Sequence, residues 1–125
     1  TEAEWEYSAK ANSSFDFSGS EDPLEVAWFV ENSQECTQCV QQKKENIWGL
    51  YDMNGNVWEW CWDWMGHYPK GSETDPMGAS EGSGRVFRGG SWLVDRARLR
   101  NSFRGKERPT NRFDGIGFRL AKNTA

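Results

Sequence analysis

Residues 49–64 read "GLYDMNGNVWEWCWDW". After the Asn54-Gly55 pair, strict alternation over residues 57–64 sets Trp58, Trp60, Trp62 and Trp64 on one face of a strand and Val57, Glu59, Cys61 and Asp63 on the other. Four indoles in a row predict that theirs is the buried face, since large aromatic bodies fill the core of a small domain. Asp52 stands before the turn and Glu59 after it.

Upstream of this strand, Thr1 and Glu4 fit a capping box, so "EAEWEYSAK" opens the chain as a helix. Residues 11–23 read as loop, "LEVAWFV" (24–30) as a short buried strand or extended segment, and residues 31–45 as polar loop again. Downstream, residues 66–84 are a long surface connection rich in Gly, Pro, Ser and acids. "RVFRGGSW" (85–92) is the next strand, its glycine pair marking a bulge or a close backbone approach. Residues 93–115 show no clean period, and "IGFRLAK" (116–122) closes the chain as a final strand. Few regular elements, many aromatics and long loops predict one α+β domain in which loops carry function.

The 125 residues include eight tryptophans and seven phenylalanines, too much apolar surface for a disordered chain. No run approaches the roughly 20 apolar residues of a membrane span, and the first ten residues lack the features of an export signal, which would lie outside this segment. Charge is divided unevenly. Residues 1–84 hold 4 Lys and Arg against 16 Asp and Glu, whereas residues 85–125 hold 11 against 3. The basic residues alternate with apolar ones and the whole chain is acidic, which favours pairing between the halves over nucleic-acid binding. Cys36 and Cys39 form a CxxC in an apparent loop, with Cys61 apart. A zinc site, a redox pair, a loop disulfide and free thiols are all open, the single histidine, His67, leaving barely enough ligands for zinc.

"TEAEWEY", "WGLYDMNGNVWEW", "RVFRGGSW" and "GFRLA", in this order and at this spacing, resemble the C-terminal half of the formylglycine-generating-enzyme (sulfatase-modifying factor) domain family. The resemblance covers nearly the whole chain. It implies a C-type-lectin-like fold with little regular secondary structure, of which residues 1–125 would be the C-terminal portion. In the oxidising enzymes of that family two cysteines shortly after the Gly-Gly-Ser motif bind copper(I), a soft ion that selects thiolates. The matching positions here are Val94 and Leu99, so no catalytic residue and no copper are expected. The iron-dependent branch of the family needs a histidine cluster, which one histidine cannot supply.

The resemblance also implies a structural calcium site at Asp52, Gly55, Val57 and Glu59. The chemistry suits it: calcium takes 6–8 oxygens, and a loop turning at Asn54-Gly55 can present two carboxylates and two carbonyls. The plainer alternative is a type I′ hairpin turn with its acids solvated or paired to arginines. A second family calcium site, upstream, is too divergent here for ligands to be assigned.

Between the frame residues Trp92, Arg100, Arg104, Pro109, Arg112 and Gly117 lie positions of dissimilar chemistry: Leu93, Val94, Asp95, Arg98, Asn101, Phe103, Gly105, Lys106, Glu107, Phe113 and Asp114. If the C-terminal loops pack as in lectin-like folds, these share one exposed face, and exposed aromatics with arginines make a binding surface. Alternatively Phe103 and Leu99 are core and the charges solvate a loop. The frame also resembles the variable proteins of diversity-generating retroelements, in which adenine-directed mutagenesis before a terminal "GFRLA" diversifies ligand-contacting positions. Lys106 and Glu107 are unreachable from an Asn codon by changing adenines alone, so they weaken the match or fall outside the varied set. The expectation is a non-catalytic, extracytoplasmic or cell-surface protein that binds a protein or other macromolecular ligand. The rivals are a copper-dependent oxidase, an accessory domain of one, and a purely structural module.

Overall fold

The computed structural model describes residues 1–122. A four-stranded sheet is its centre, with β1 (Trp58–Trp64), β2 (Arg85–Arg88), β3 (Arg104–Glu107) and β4 (Ile116–Gly117) in the order β3-β2-β1-β4. Pairing is antiparallel between β1 and β2 and between β2 and β3, whereas β4 runs parallel to β1 through Trp58–Ile116 and Glu59–Gly117. Three helices accompany it: α1 (Glu2–Lys10), α2 (Pro23–Val26) and α3 (Arg96–Leu99). This is the expected α+β, lectin-like architecture with little regular structure, and none of its helices is long and apolar enough to cross a membrane.

The N-terminal helix forms where predicted. Thr1 Oγ1 accepts from the Glu4 amide at 3.3 Å, the Glu4 side chain reaches back to the cap, and Ala11 ends the helix in the left-handed conformation. Residues 24–26 depart from expectation, and the extended reading holds from Ala27 on. Asp22 caps a single helical turn whose first residue is Pro23, a position where proline's missing N–H costs nothing, and the chain then straightens so that Trp28 bridges Gly55. The final strand is shorter than expected, two residues instead of seven.

The larger correction concerns β1. Its buried face carries Glu59, Cys61 and Asp63, while burial on the tryptophan face declines from Trp58, which is buried, to Trp62, which is 69% exposed. The acids can be buried because each has partners. Glu59 accepts from Trp5 Nε1 at 2.8 Å and from Arg119, and Asp63 Oδ1 accepts from the Glu2 amide at 2.7 Å at the start of α1. Cys61 packs with Trp5, Ala9, Met53 and Val86, and burial pushes its thiol up to about 12, which leaves it unreactive.

Above this layer Arg88, fully buried, joins Glu2, Glu6 and the carbonyls of Asn101 and Phe103. Arg104 holds both oxygens of Glu2 at 2.6 and 2.7 Å. Arg96 clasps Glu31 through two bonds of 2.8 Å. The basic half thus pairs with the acidic half as its charge balance predicted. A second apolar cluster, Phe17, Val26, Ala27, Phe29 and Leu99, fills the space beneath the loops.

Asn54-Gly55 makes no hairpin. Asn54 is a buried hub that accepts from the Ser18 amide at 2.6 Å and donates to the carbonyl of Leu99 and the side chain of Asn101. Gly55, at φ 74°, lies so close to Trp28 that a β-carbon would collide with its carbonyl.

Candidate functional site

On the outer side of the sheet the aromatic rings form one connected array. Phe87 stands 4.7 Å from Trp58, 6.0 Å from Trp60 and 6.5 Å from Phe113, in tilted or edge-on geometries, and Phe103 covers Trp58 at 5.8 Å. At one end the Arg85 guanidinium lies 3.8 Å from the Trp64 ring centre and 4.8 Å from that of Trp62, and it donates to the Trp62 carbonyl. Gly105 opposes Phe87 across the β2–β3 ladder, and its missing side chain leaves the space that the Phe87 ring occupies.

The eleven positions expected to form a binding face are distributed less simply. Phe103, Gly105 and Phe113 meet at the aromatic array. Leu93 (57% exposed), Asp95 and Arg98 cluster around α3, and Trp92 Nε1 links the two groups by donating to the Asp114 carbonyl at 3.4 Å. Asn101 does not belong to the face. It is buried, donates to the Phe15 carbonyl and accepts from Asn54, so its role is to hold loops together. Val94 turns inward onto the second core cluster. Lys106 pairs across the ladder with buried Val86, so by strand alternation it leaves on the α1 side, opposite Gly105. Glu107 is tied down by the Arg108 amide and Asn111. Phe103 is half-buried and Leu99 is wholly core.

Trp60, Trp62, Arg85 and Phe87 are the residues that the sequence reading assigned elsewhere, as core or as unremarked strand. No local signal separates the exposed indoles from the buried acids behind them, because the partners of Glu59 and Asp63 are Trp5, Arg119 and the Glu2 amide, all far away in the chain.

Val94 and Leu99 lie close together. A side chain at Gly90 would meet Leu99 Cδ2 at 2.9 Å and Val94 Cγ2 at 3.1 Å, so the two converge on one point from the loop and from α3. The pair offers carbon only. Cys36 and Cys39 are exposed and unbridged, and among the described residues no group of three or more His, Cys, Asp or Glu is placed to hold a metal.

Asp52, Gly55, Val57 and Glu59 line one cavity of about 420 Å³, together with Arg119 and Phe118. Asp52 adopts φ 56° and directs Oδ2 to the Gln41 amide at 2.8 Å, while its buried Oδ1 has no partner. Arg119 donates to Glu59 and to the carbonyls of Tyr51 and Asp52. A larger cavity, about 750 Å³, opens beside α1, but Glu2, Glu6 and Asp63 in its wall are already engaged.

Comparison with known proteins places this geometry. Residues 1–124 match the model of the sulfatase-modifying factor enzyme 1-like domain. The structure resembles Treponema denticola variable protein 1 with a TM-score of 0.90 and 41% identity, covering 94% of this chain and 44% of that one. PvdO from Pseudomonas aeruginosa follows at 0.80 and 31%, with 94% and 49% covered. The formylglycine-generating enzyme of Streptomyces coelicolor is 32% identical over 98% of this chain and 46% of its own length. The chain therefore spans less than half the length of these relatives, among which are an enzyme and a variable protein. A Gly-Gly-Ser frame, a buried Trp–Glu–Arg network, the matching domain model and these neighbours together mean that the chain belongs to the sulfatase-modifying factor enzyme 1-like domain family.

Proposed function

We propose that this chain is a non-catalytic binding module whose C-terminal face, diversified by a retroelement, takes a protein or other macromolecular ligand outside the cytoplasm. The observation that carries the reading is the Val94–Leu99 pair. At the two positions where the resemblance implies copper-binding cysteines, side chains that cannot ligate a metal converge and pack on the second core cluster. Likeness to a variable protein supports the same view. Copper binding and oxygen consumption with a cysteine-containing peptide test it: robust turnover by the purified protein overturns it. Diversification is tested by the genome, where a reverse transcriptase and a near-copy of the 3′ coding end, differing at adenines, are expected.

The loop at Asp52 is assigned a structural calcium ion. The unpartnered, buried Asp52 Oδ1 supports this, with Glu59 and the carbonyls of Gly55 and Val57 as the remaining ligands. Calcium there would hold the loop to the strand and take no part in recognition.

A further inference from the structure

Resting on the binding reading above, we propose that the partner presents an extended acidic peptide segment, and that its site includes the exposed end of β1 and the β3–β4 turn. The floor is aromatic: Trp62 is 69% and Phe113 42% exposed, bridged by half-buried Trp60 and Phe87. Apolar side chains of a peptide gain most of their affinity on rings of this kind.

Charge decides which peptide. Arg88, Arg96, Arg104 and Arg119 each hold a carboxylate of the acidic half. Arg85, Arg108 and Arg112 hold none among the described residues. Arg85 is stacked on the indoles with only a carbonyl for partner. Arg108 and Arg112 lie exposed in the turn that leads from β3 directly to Phe113. Two carboxylates belong to that turn region, Glu107, which faces Arg85 across the ladder and accepts from the Arg108 amide and Asn111, and exposed Asp114, so three guanidinium groups stand there against two acids. Guanidinium groups left free at the border of an aromatic floor match carboxylates, which they bind through two parallel hydrogen bonds.

The rest of the chain disfavours a long anion. Ala79 of the acidic 66–84 connection bridges Trp64, while Glu73 of the same connection lines the cavity beside α1. The net charge of −4 over the whole chain favours a short acidic segment over a continuous polyanion such as single-stranded nucleic acid.

The test is selection of a random peptide display library on the full-length protein, followed by affinity measurement of synthetic peptides. We expect enrichment of Asp and Glu flanking an aromatic or leucine. Binding should weaken at least tenfold in Arg108→Glu/Arg112→Glu, and comparably in wild type between low and 300 mM salt. The salt titration keeps the outcome readable if the double variant misfolds. Neutral or basic peptides that depend on Trp62 and Phe113 would overturn the acidic assignment and leave the binding face standing. Peptides insensitive to Trp62→Ser and Phe113→Ser would overturn both, and an oligonucleotide bound as tightly as the peptides would overturn the choice of partner.

Discussion

Arg119 holds Glu59 by both carboxylate oxygens, Nη2 to Oε1 at 2.8 Å and Nε to Oε2 at 3.1 Å, so one corner of the assigned calcium loop already contains a cation. Glu59→Ala is therefore destabilising with or without calcium, because it strands Trp5 Nε1 and a guanidinium. Asp52→Asn separates the two effects. With calcium at a hundred times its dissociation constant, wild type should lose on the order of 2.7 kcal/mol on chelation, and Asp52→Asn should lose far less. Equal melting temperatures with and without EDTA in wild type would remove the ion.

The face can be emptied without unfolding the protein. Trp62→Ser and Phe113→Ser remove exposed rings and should each shift stability by about 1 kcal/mol or less while abolishing ligand binding. Asp95 is a poorer probe, since it caps α3 by accepting from the Arg98 amide at 3.2 Å and its loss costs about 1 kcal/mol by itself. Loss of folding in the Trp62 variant, read by near-UV circular dichroism, would return that indole to the core.

Val94 and Leu99 invite reconstruction. Val94→Cys/Leu99→Cys should bring two thiols together and create a copper(I) site that wild type lacks, measurable by competition with a colorimetric chelator. Leu99 is wholly buried, so its truncation should cost about 2 kcal/mol or more. A folded double variant without copper affinity would show that the two positions do not face one another.

Arg88 is expected to be the most sensitive charged residue. Arg88→Ala leaves Glu2 buried without one of its two arginines and should cost about 3–5 kcal/mol in a urea titration.

Acid should weaken the same network. Burial works against the charge of Glu6, but hydrogen bonds from Lys10 and Arg88 outweigh it and hold the carboxyl below its ordinary value of 4.5. A carboxyl with a lowered folded-state value stabilises the protein above pH 4.5, and that contribution is lost as pH falls through the folded value. Glu6→Gln should thus be less stable than wild type at pH 7 and flatter in its stability profile below pH 4.5. Parallel profiles would place the acid sensitivity elsewhere.

Several elements were legible in the residues themselves. The Thr1–Glu4 box, the Gly89-Gly90 break and the alternation of residues 57–64 each have a local cause, and each stands where expected. Which face of β1 is buried was not legible, because alternation fixes only that two faces exist. Glu59 and Asp63 could enter the interior only through Trp5, Glu2 and Arg119, partners 54 to 61 residues away. Asn101 was misplaced for the same reason: its environment is made by Phe15 and Asn54. The Trp28–Gly55 contact likewise turned an Asn-Gly signal for a hairpin into a buried crossing point.

The empty place at Gly105, filled by the Phe87 ring, gives the outer face a lever. Any side chain introduced at 105 must push that ring aside, and Phe87 touches Trp58, Trp60 and Phe113. One codon on an edge strand can thereby change the relief of the whole surface, while the acids and arginines behind the sheet keep their places. The changeable aromatic relief and the buried ion pairs that hold the fold lie on opposite sides of the same sheet.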